Sequence, residues 1–304
     1  MKILLFGRNG QLGWELQRSL APLGELVMLG RKAASNPGGL CGDLTNLDGL
    51  ARTVQQVGPD IIVNAAAYTA VERAENEPDL AHTINARAPG VLAAEADRLG
   101  AWLVHYSTDY VFDGSGDAPW KETDPTGPLN VYGCSKLEGE RAVSRATRHL
   151  ILRTSWVYAA RGGNFAKTML ALARDKAGFS VVGDQHGAPT SAETIADATA
   201  HLLRQALVRP EQAGLYHCAA GGETTWHAYA RFVVAQALEL GWKMAARPES
   251  ISAVSTAEKA GPARRPLNSR LDTSRIRSTF QLHLPHWQVL LRRMLEEITP
   301  HGAP

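Results

Sequence analysis

The sequence predicts an α/β protein with a doubly wound parallel sheet, followed by a smaller C-terminal α/β lobe. Strand-length apolar runs recur through the first half, helical stretches separate them, and the pattern loosens after Tyr158. The runs are "KILLF" (2–6), "ELVML" (25–29), "DIIVNAAA" (60–67), "AWLVHYS" (101–107) and "HLILRTSWVY" (149–158). Near-continuous apolar runs suit strands buried on both faces. Helices are expected at about 11–21, 46–57, 79–99 and 131–146, with Pro128 signalling the start of the last. Regular β–α alternation is what a parallel sheet requires, since each parallel pair needs a crossover. Beyond Tyr158, Gly and Pro scatter through "ARGGNF" and "VVGDQHGAPTSAE", and helices are expected near 192–207, 225–240 and 286–298. The segment "SNPGGLCG" (35–42) reads as a flexible loop.

Composition narrows the function classes. A chain of 304 residues buries roughly three quarters of its unfolded surface, enough for a deep core and a cleft. With 44% hydrophobic and 20% charged residues it is neither disordered nor fibrous, and a net charge of +2 names no partner. The late cations Lys259, Arg264, Arg265, Arg270, Arg275 and Arg277 form no continuous run and have no aromatics among them, which argues against nucleic acid. Cys41, Cys134 and Cys218 form no CxxC, so neither a zinc site nor a disulfide framework is indicated. The first apolar run is too short for a signal peptide, and no stretch of ~18 apolar residues occurs. The expectation is a soluble cytoplasmic protein without a membrane partner.

The first strand runs into Gly7, Gly10 and Gly13 in "FGRNGQLGWEL", with a helix behind. Glycines in a strand–turn–helix permit a tight turn, close approach of a pyrophosphate and close helix packing, while the helix start supplies amides to the anion. Residues 1–155 therefore read as a Rossmann-like NAD(P)-binding domain. Residues 156–304 read mainly as a substrate-binding lobe, with some segments packing back on the first domain. The acidic residue that usually takes the adenosine ribose is missing after the second strand, where Arg31 and Lys32 stand instead. A basic pair matches a 2′-phosphate, so NADPH is expected, with NADH also accepted; two solvated loop cations is the competing reading. Asp43 is a candidate acceptor for the adenine amino group.

Tyr132 and Lys136 form a YxxxK pair in "PLNVYGCSKLEGE", a spacing that chance alone supplies roughly 0.2 times in a chain of this composition. Four residues on a helix put both side chains on one face, and that helix follows a strand whose carboxyl end should open on the cofactor crevice. A tyrosine, with an ordinary pKa of ~10, needs a nearby cation before it can cycle protons near neutrality. Lys136 and an oxidised nicotinamide would each supply one. Thr108, at the end of that strand, offers a hydroxyl to the same substrate oxygen; a plain strand-end turn is the alternative. His105, inside the strand, reads as a packed core histidine.

The motifs "FGRNGQLGWEL", "NAAAYTAVERAE", "STDYVFDG", "PLNVYGCSKLEGE", "RTSWVY", "NFAKTML", "DQHGAPT" and "RPLNSRLD" together resemble the extended short-chain dehydrogenase/reductases, and more closely the dTDP-4-dehydrorhamnose reductase family. The resemblance covers almost the whole chain. It implies NADPH-dependent reduction of the 4-keto group of dTDP-4-dehydro-β-L-rhamnose. Under it Tyr132 is the proton donor, Lys136 holds the nicotinamide ribose and depresses the tyrosine pKa, and Thr108 polarises the carbonyl. Gly10, Gln11 and Leu12 would lie along the pyrophosphate, Asp43 and Leu44 near the adenine, and Ala65, Ala66 and Ala67 along the cofactor. Thr108, Asp109 and Trp156 would meet the substrate, although Trp156 reads equally as a core residue. Arg265 is a candidate for the substrate diphosphate, with a loop-fixing surface arginine as the alternative. The resemblance also implies a structural magnesium at a homodimer contact through Glu15, Glu193 and Glu297, whose hard oxygens suit that ion.

Two rivals share parts of this pattern. Nucleotide-sugar epimerases and 4,6-dehydratases keep the glycine turn and YxxxK, but the dehydratases carry an Asp–Glu pair after the strand-end threonine, where this chain has Asp109 and then Tyr110. A non-catalytic regulatory subunit, like that of methionine adenosyltransferase, resembles the same family.

Overall fold

The computed structural model describes residues 1–259 and 261–299; the last residues of the expected second lobe, 300–304, lie outside the described residues. A six-stranded, all-parallel sheet forms its centre, from β1 (Lys2–Phe6), β2 (Glu25–Leu29), β3 (Ile61–Asn64), β4 (Trp102–Thr108), β5 (His149–Thr154) and β6 (Gly214–His217). Their spatial order is β6-β5-β4-β3-β1-β2. The expected doubly wound sheet is therefore present.

Strand periodicity explains why it is covered on both sides. Ile3, Leu5, Ile61 and Val63 enter one core, while Leu4, Phe6 and Ile62 enter the other. The first core is closed by α1 (Gln11–Leu20), by the later helix Ala192–Ala206 and by Ile276 and Phe280. The second is closed by α2 (Leu47–Val57), α3 (Ala88–Leu99) and α4 (Val131–Val143). A third core joins Phe165–Asp175, Trp226–Glu239 and Trp287–Ile298, which carry Met169, Val233 and Leu291. A parallel pair of short strands, Phe179–Val182 and Ile251–Val254, flanks it.

Three expectations need correction. The helix expected over 79–99 is interrupted: Pro78–His82 leads into a π-helical turn, Thr83–Arg87, before α3 begins. Pro89 lacks the N–H that would close the preceding α-turn, and the widened turn absorbs the missing bond. The run 149–158 is two strands, because Trp156 has φ 49 and turns the chain out of the sheet before Val157–Tyr158 pairs with Thr190–Ser191. The loop at 35–42 is pinned, since buried Asn36 accepts from Gly30 N–H and donates to the Gly30 and Leu40 carbonyls.

Several second-half elements went unread in the sequence, among them β6 and the helix Phe165–Asp175. β6 pairs with β5 and so brings a second-half segment into the first sheet. The helix Phe165–Asp175 is capped by Asn164, whose side chain accepts from Lys167 N–H. Among the described residues no helix is long and apolar enough to cross a membrane.

Candidate active site

The strand order reverses between β1 and β3, and a cleft of about 630 Å³ opens at the carboxyl ends there. The switch point of such a sheet is where ligands bind. Gly7, at φ 88, makes the turn; a Cβ on it would fall 2.7 Å from Ala66 N. A Cβ on Gly13 would fall 2.0 Å from the Gly7 carbonyl oxygen, so α1 packs directly on the turn. Gly10 is the N-cap of α1 and places no side chain over its first amides, which leaves them open to an anion.

Gly7, Gly10, Gln11, Leu12, Arg31, Asp43, Leu44, Ala65, Ala66 and Ala67 all line this cleft, whereas Gly13 supports it from behind. Asp43 already accepts two bonds from Thr45, at 3.0 Å from the amide and 2.9 Å from the hydroxyl. Arg8 was not singled out in the sequence; its guanidinium donates to the Met28 and Ser35 carbonyls and braces the loop that carries Arg31. The cradle fits a dinucleotide: glycines stand where a Cβ would collide, and free helix amides face the gap.

Across the cleft, α4 starts at Asn130, whose side chain accepts from Gly133 N–H at 2.8 Å and donates to the Arg264 carbonyl at 2.7 Å. Tyr132 and Lys136 line the cleft opposite Thr108 and Asp109 at the end of β4. Thr108 Oγ1 accepts from Tyr110 N–H at 3.2 Å and donates to Asp109 Oδ1 at 3.1 Å, with the Tyr132 phenol beside it. Lys136 Nζ donates to the Tyr106 carbonyl at 2.5 Å and lies 3.4 Å from His105 Nε2. The helix is fastened by a buried bidentate pair, Arg153 to Glu140, at 2.8 and 2.7 Å.

Burial pushes the Tyr132 phenol up to about 12, against the lowering influence of the nearby Thr108 hydroxyl. The expected depression of this tyrosine by Lys136 is absent in this geometry, because Nζ is turned to the Tyr106 carbonyl. Burial brings Lys136 itself down to about 8, with Glu140 opposing. Asp109 is raised to about 6 by burial, with the Ser269 and Thr108 hydroxyls opposing, and its Oδ2 has no hydrogen-bond partner. Ser269 reaches Asp109 from the second half of the chain, a link no local motif announces.

The opposite wall comes from that second half. Trp156 lines the cleft and stacks on Trp226, with ring centroids 3.6 Å apart and 15° between planes. Trp226 also lines the cleft and was missed, since a lone tryptophan at a helix start carries no pattern. Its indole N–H donates to Gln185 Oε1 at 3.1 Å, and Gln185 donates onward to Thr256 at 3.0 Å. Arg265 stands apart from this wall: its guanidinium donates to Glu72 at 2.8 Å in a half-exposed pair.

Glu15, Glu193 and Glu297 do not line the cleft but lie near one another. Burial raises the Glu15 pKa, Glu193 and Glu297 add to the rise, and Arg18 opposes it. Glu193 is paired with Arg293 at 3.5 Å. Among the described residues no group of three or more His, Cys, Asp or Glu side chains is disposed to hold a metal ion, so one copy of the chain does not supply the ligand set.

A glycine cradle at a sheet switch point, facing a tyrosine–lysine helix and a strand-end threonine, is the architecture of the extended short-chain dehydrogenase/reductases. A family model described as the RmlD substrate binding domain matches residues 1–299. The chain is 54% identical over 299 residues to a dTDP-4-dehydrorhamnose reductase of Shigella flexneri, covering 98% of each. It is 53% identical to that of Escherichia coli strain K12, again over 98% of each. Among solved structures, the dTDP-4-dehydrorhamnose reductase of Bacillus anthracis str. Ames in complex with NADP superposes with a TM-score of 0.85 at 34% identity, over 97% of this chain and 99% of that one. The chain belongs to the dTDP-4-dehydrorhamnose reductase family.

Proposed function

We propose that the chain reduces the 4-keto group of dTDP-4-dehydro-β-L-rhamnose to give dTDP-L-rhamnose, using NADPH. The observation that carries the reading is the meeting of Tyr132, Lys136 and Thr108 at the mouth of the glycine-turn cleft, in a chain 54% identical to a named reductase along almost its whole length. NADPH is preferred because Arg31 lines the cleft where a 2′-phosphate would lie, with no acid in its place, and because the Bacillus anthracis relative carries NADP.

When bound, the cofactor would supply the hydride to the ketone carbon. Gly7, Gly10, Gln11 and Leu12 hold its pyrophosphate, Asp43 and Leu44 its adenine end, and Ala65, Ala66 and Ala67 its middle. Lys136 holds the nicotinamide ribose once Nζ leaves the Tyr106 carbonyl. Tyr132 gives its proton to the developing alkoxide, and Thr108 orients that oxygen. Trp156 offers a flat apolar face to the 6-deoxy side of the sugar. With its pKa well above neutrality Tyr132 is protonated before the reaction, which is the state a proton donor needs.

The reading extends to a cytoplasmic enzyme acting as a homodimer. Magnesium would need Glu15, Glu193 and Glu297 of two copies together, and no catalytic step passes through it. A solution mass that ignores both magnesium and chelator would remove this part.

The deciding assay supplies NADPH and dTDP-4-dehydro-L-rhamnose to the purified protein. Loss of the reduced-nicotinamide absorbance with dTDP-L-rhamnose as product is expected. Interconversion of sugars without net NADPH consumption would overturn the reading in favour of an epimerase.

A further inference from the structure

His105 sits inside β4 beneath the tyrosine–lysine helix, 1% exposed, with Gly139 beside its ring. Three contacts in series run from the cleft wall to Lys136. The Ala66 N–H donates to Asn64 Oδ1 at 3.2 Å. Asn64 Nδ2 lies 3.3 Å from His105 Nδ1, and His105 Nε2 lies 3.4 Å from Lys136 Nζ.

The donor count along this series fixes its chemistry. Asn64 spends Oδ1 on the Ala66 amide and so offers His105 only its NH₂ group. His105 Nδ1 must then be the accepting nitrogen. A neutral imidazole has one acceptor and one N–H, so the hydrogen sits on Nε2. Burial keeps the ring neutral, so no second proton changes the count. Nε2–H therefore points at Nζ. An ammonium has donors only and gains nothing there, whereas a neutral amine accepts that hydrogen through its lone pair.

We infer that His105 is a positioning residue that favours the neutral amine of Lys136 in the free enzyme, so that cofactor binding, which turns Nζ toward the ribose hydroxyls, takes up one proton from solvent at that nitrogen. This rests on the cofactor assignment proposed above. The other ionisable groups around Lys136 are Tyr132 and Glu140 on its own helix, Asp109 at the end of β4, and Arg153 on β5, which grips Glu140. Of these, Glu140 favours the ammonium, and burial outweighs it. The sign follows: with its value lowered in the free enzyme, Lys136 loses its proton as the pH rises through about 8, and NADPH binding weakens over the same interval.

Two measurements test this. Nitrogen-15 NMR of the free protein should show His105 with Nε2 protonated and Nδ1 bare, without titration from about pH 6 to 9. A protonated Nδ1, or a titrating ring, overturns the inference. Calorimetry of NADPH binding in buffers of different ionisation enthalpy should show uptake of about half a proton at pH 8, falling to almost none near pH 6.5. In His105→Gln the side-chain carbonyl can turn to Nζ, and in Asn64→Asp the new carboxylate accepts from Nδ1–H and reverses the tautomer. Both variants should lower the uptake at pH 8 without abolishing it, since burial of Lys136 persists, and uptake equal to wild type in both overturns the role of His105. Tight NADPH binding by the wild-type protein with no uptake at pH 8 overturns the inference. Absence of NADPH binding counts against the proposed function instead, and the tautomer then decides the role of His105 alone.

Discussion

The two walls of the cleft are held in different ways. On the sheet side, backbone does the positioning: Gly7 and Gly13 bring a turn, a helix and the β3 loop into contact, and Thr108 ends a strand paired on both sides. On the other side, Trp156 and Trp226 are placed by a ring stack and by the chain of bonds through Gln185. A backbone wall has one geometry or none. A wall of side chains can be adjusted one residue at a time.

Substitutions on each wall test this contrast. Tyr132→Phe should cut turnover by ~10²- to 10⁴-fold, the scale for losing a general acid, with NADPH affinity unchanged in a titration of cofactor fluorescence. Turnover near the wild-type rate would remove Tyr132 from the proposed mechanism. Gly13→Ala forces a Cβ against the Gly7 carbonyl and should cost ~1–3 kcal/mol in urea denaturation, with weaker cofactor binding. Gly163→Ala, where a Cβ meets nothing within 4 Å, should leave both unchanged and serves as its control. Trp226→Ala should raise the KM for the keto sugar roughly threefold to tenfold, the ~0.5–1.5 kcal/mol of an aromatic pair, and touch kcat less. The smallest effect is expected at the rim, where Glu72→Gln loosens an Arg265 whose side chain is 42% exposed. Stability should change by at most ~1 kcal/mol, and a lowered KM for the dTDP-sugar would show that the freed guanidinium meets the diphosphate.

The same contrast accounts for what the sequence made legible. The strands of the sheet were readable because both faces are apolar, so that Leu4 and Leu5 are equally buried though they point opposite ways. Gly7, Gly10, Tyr132 and Lys136 were readable because their spacing is local and tied to a strand before and a helix after. Arg265 and Glu72, 193 residues apart, could be joined only by the fold. Trp226 and Ser269 carry no local signature, and β6 reads as "GLYH", too short and too polar to announce a strand. His105 was legible as buried but not as connected, since its neighbours Asn64 and Lys136 come from two other elements.

The Arg153–Glu140 pair ties two heritable properties together. Replacing a buried ion pair by well-packed apolar residues is often neutral or stabilising, so stability selection has an open route at this position. That route would also delete the carboxylate that favours charge on Lys136. A lineage or an engineer hardening this enzyme through that pair would narrow the range of alkalinity in which it holds its cofactor. Thermal robustness and pH tolerance are traded here through one carboxylate.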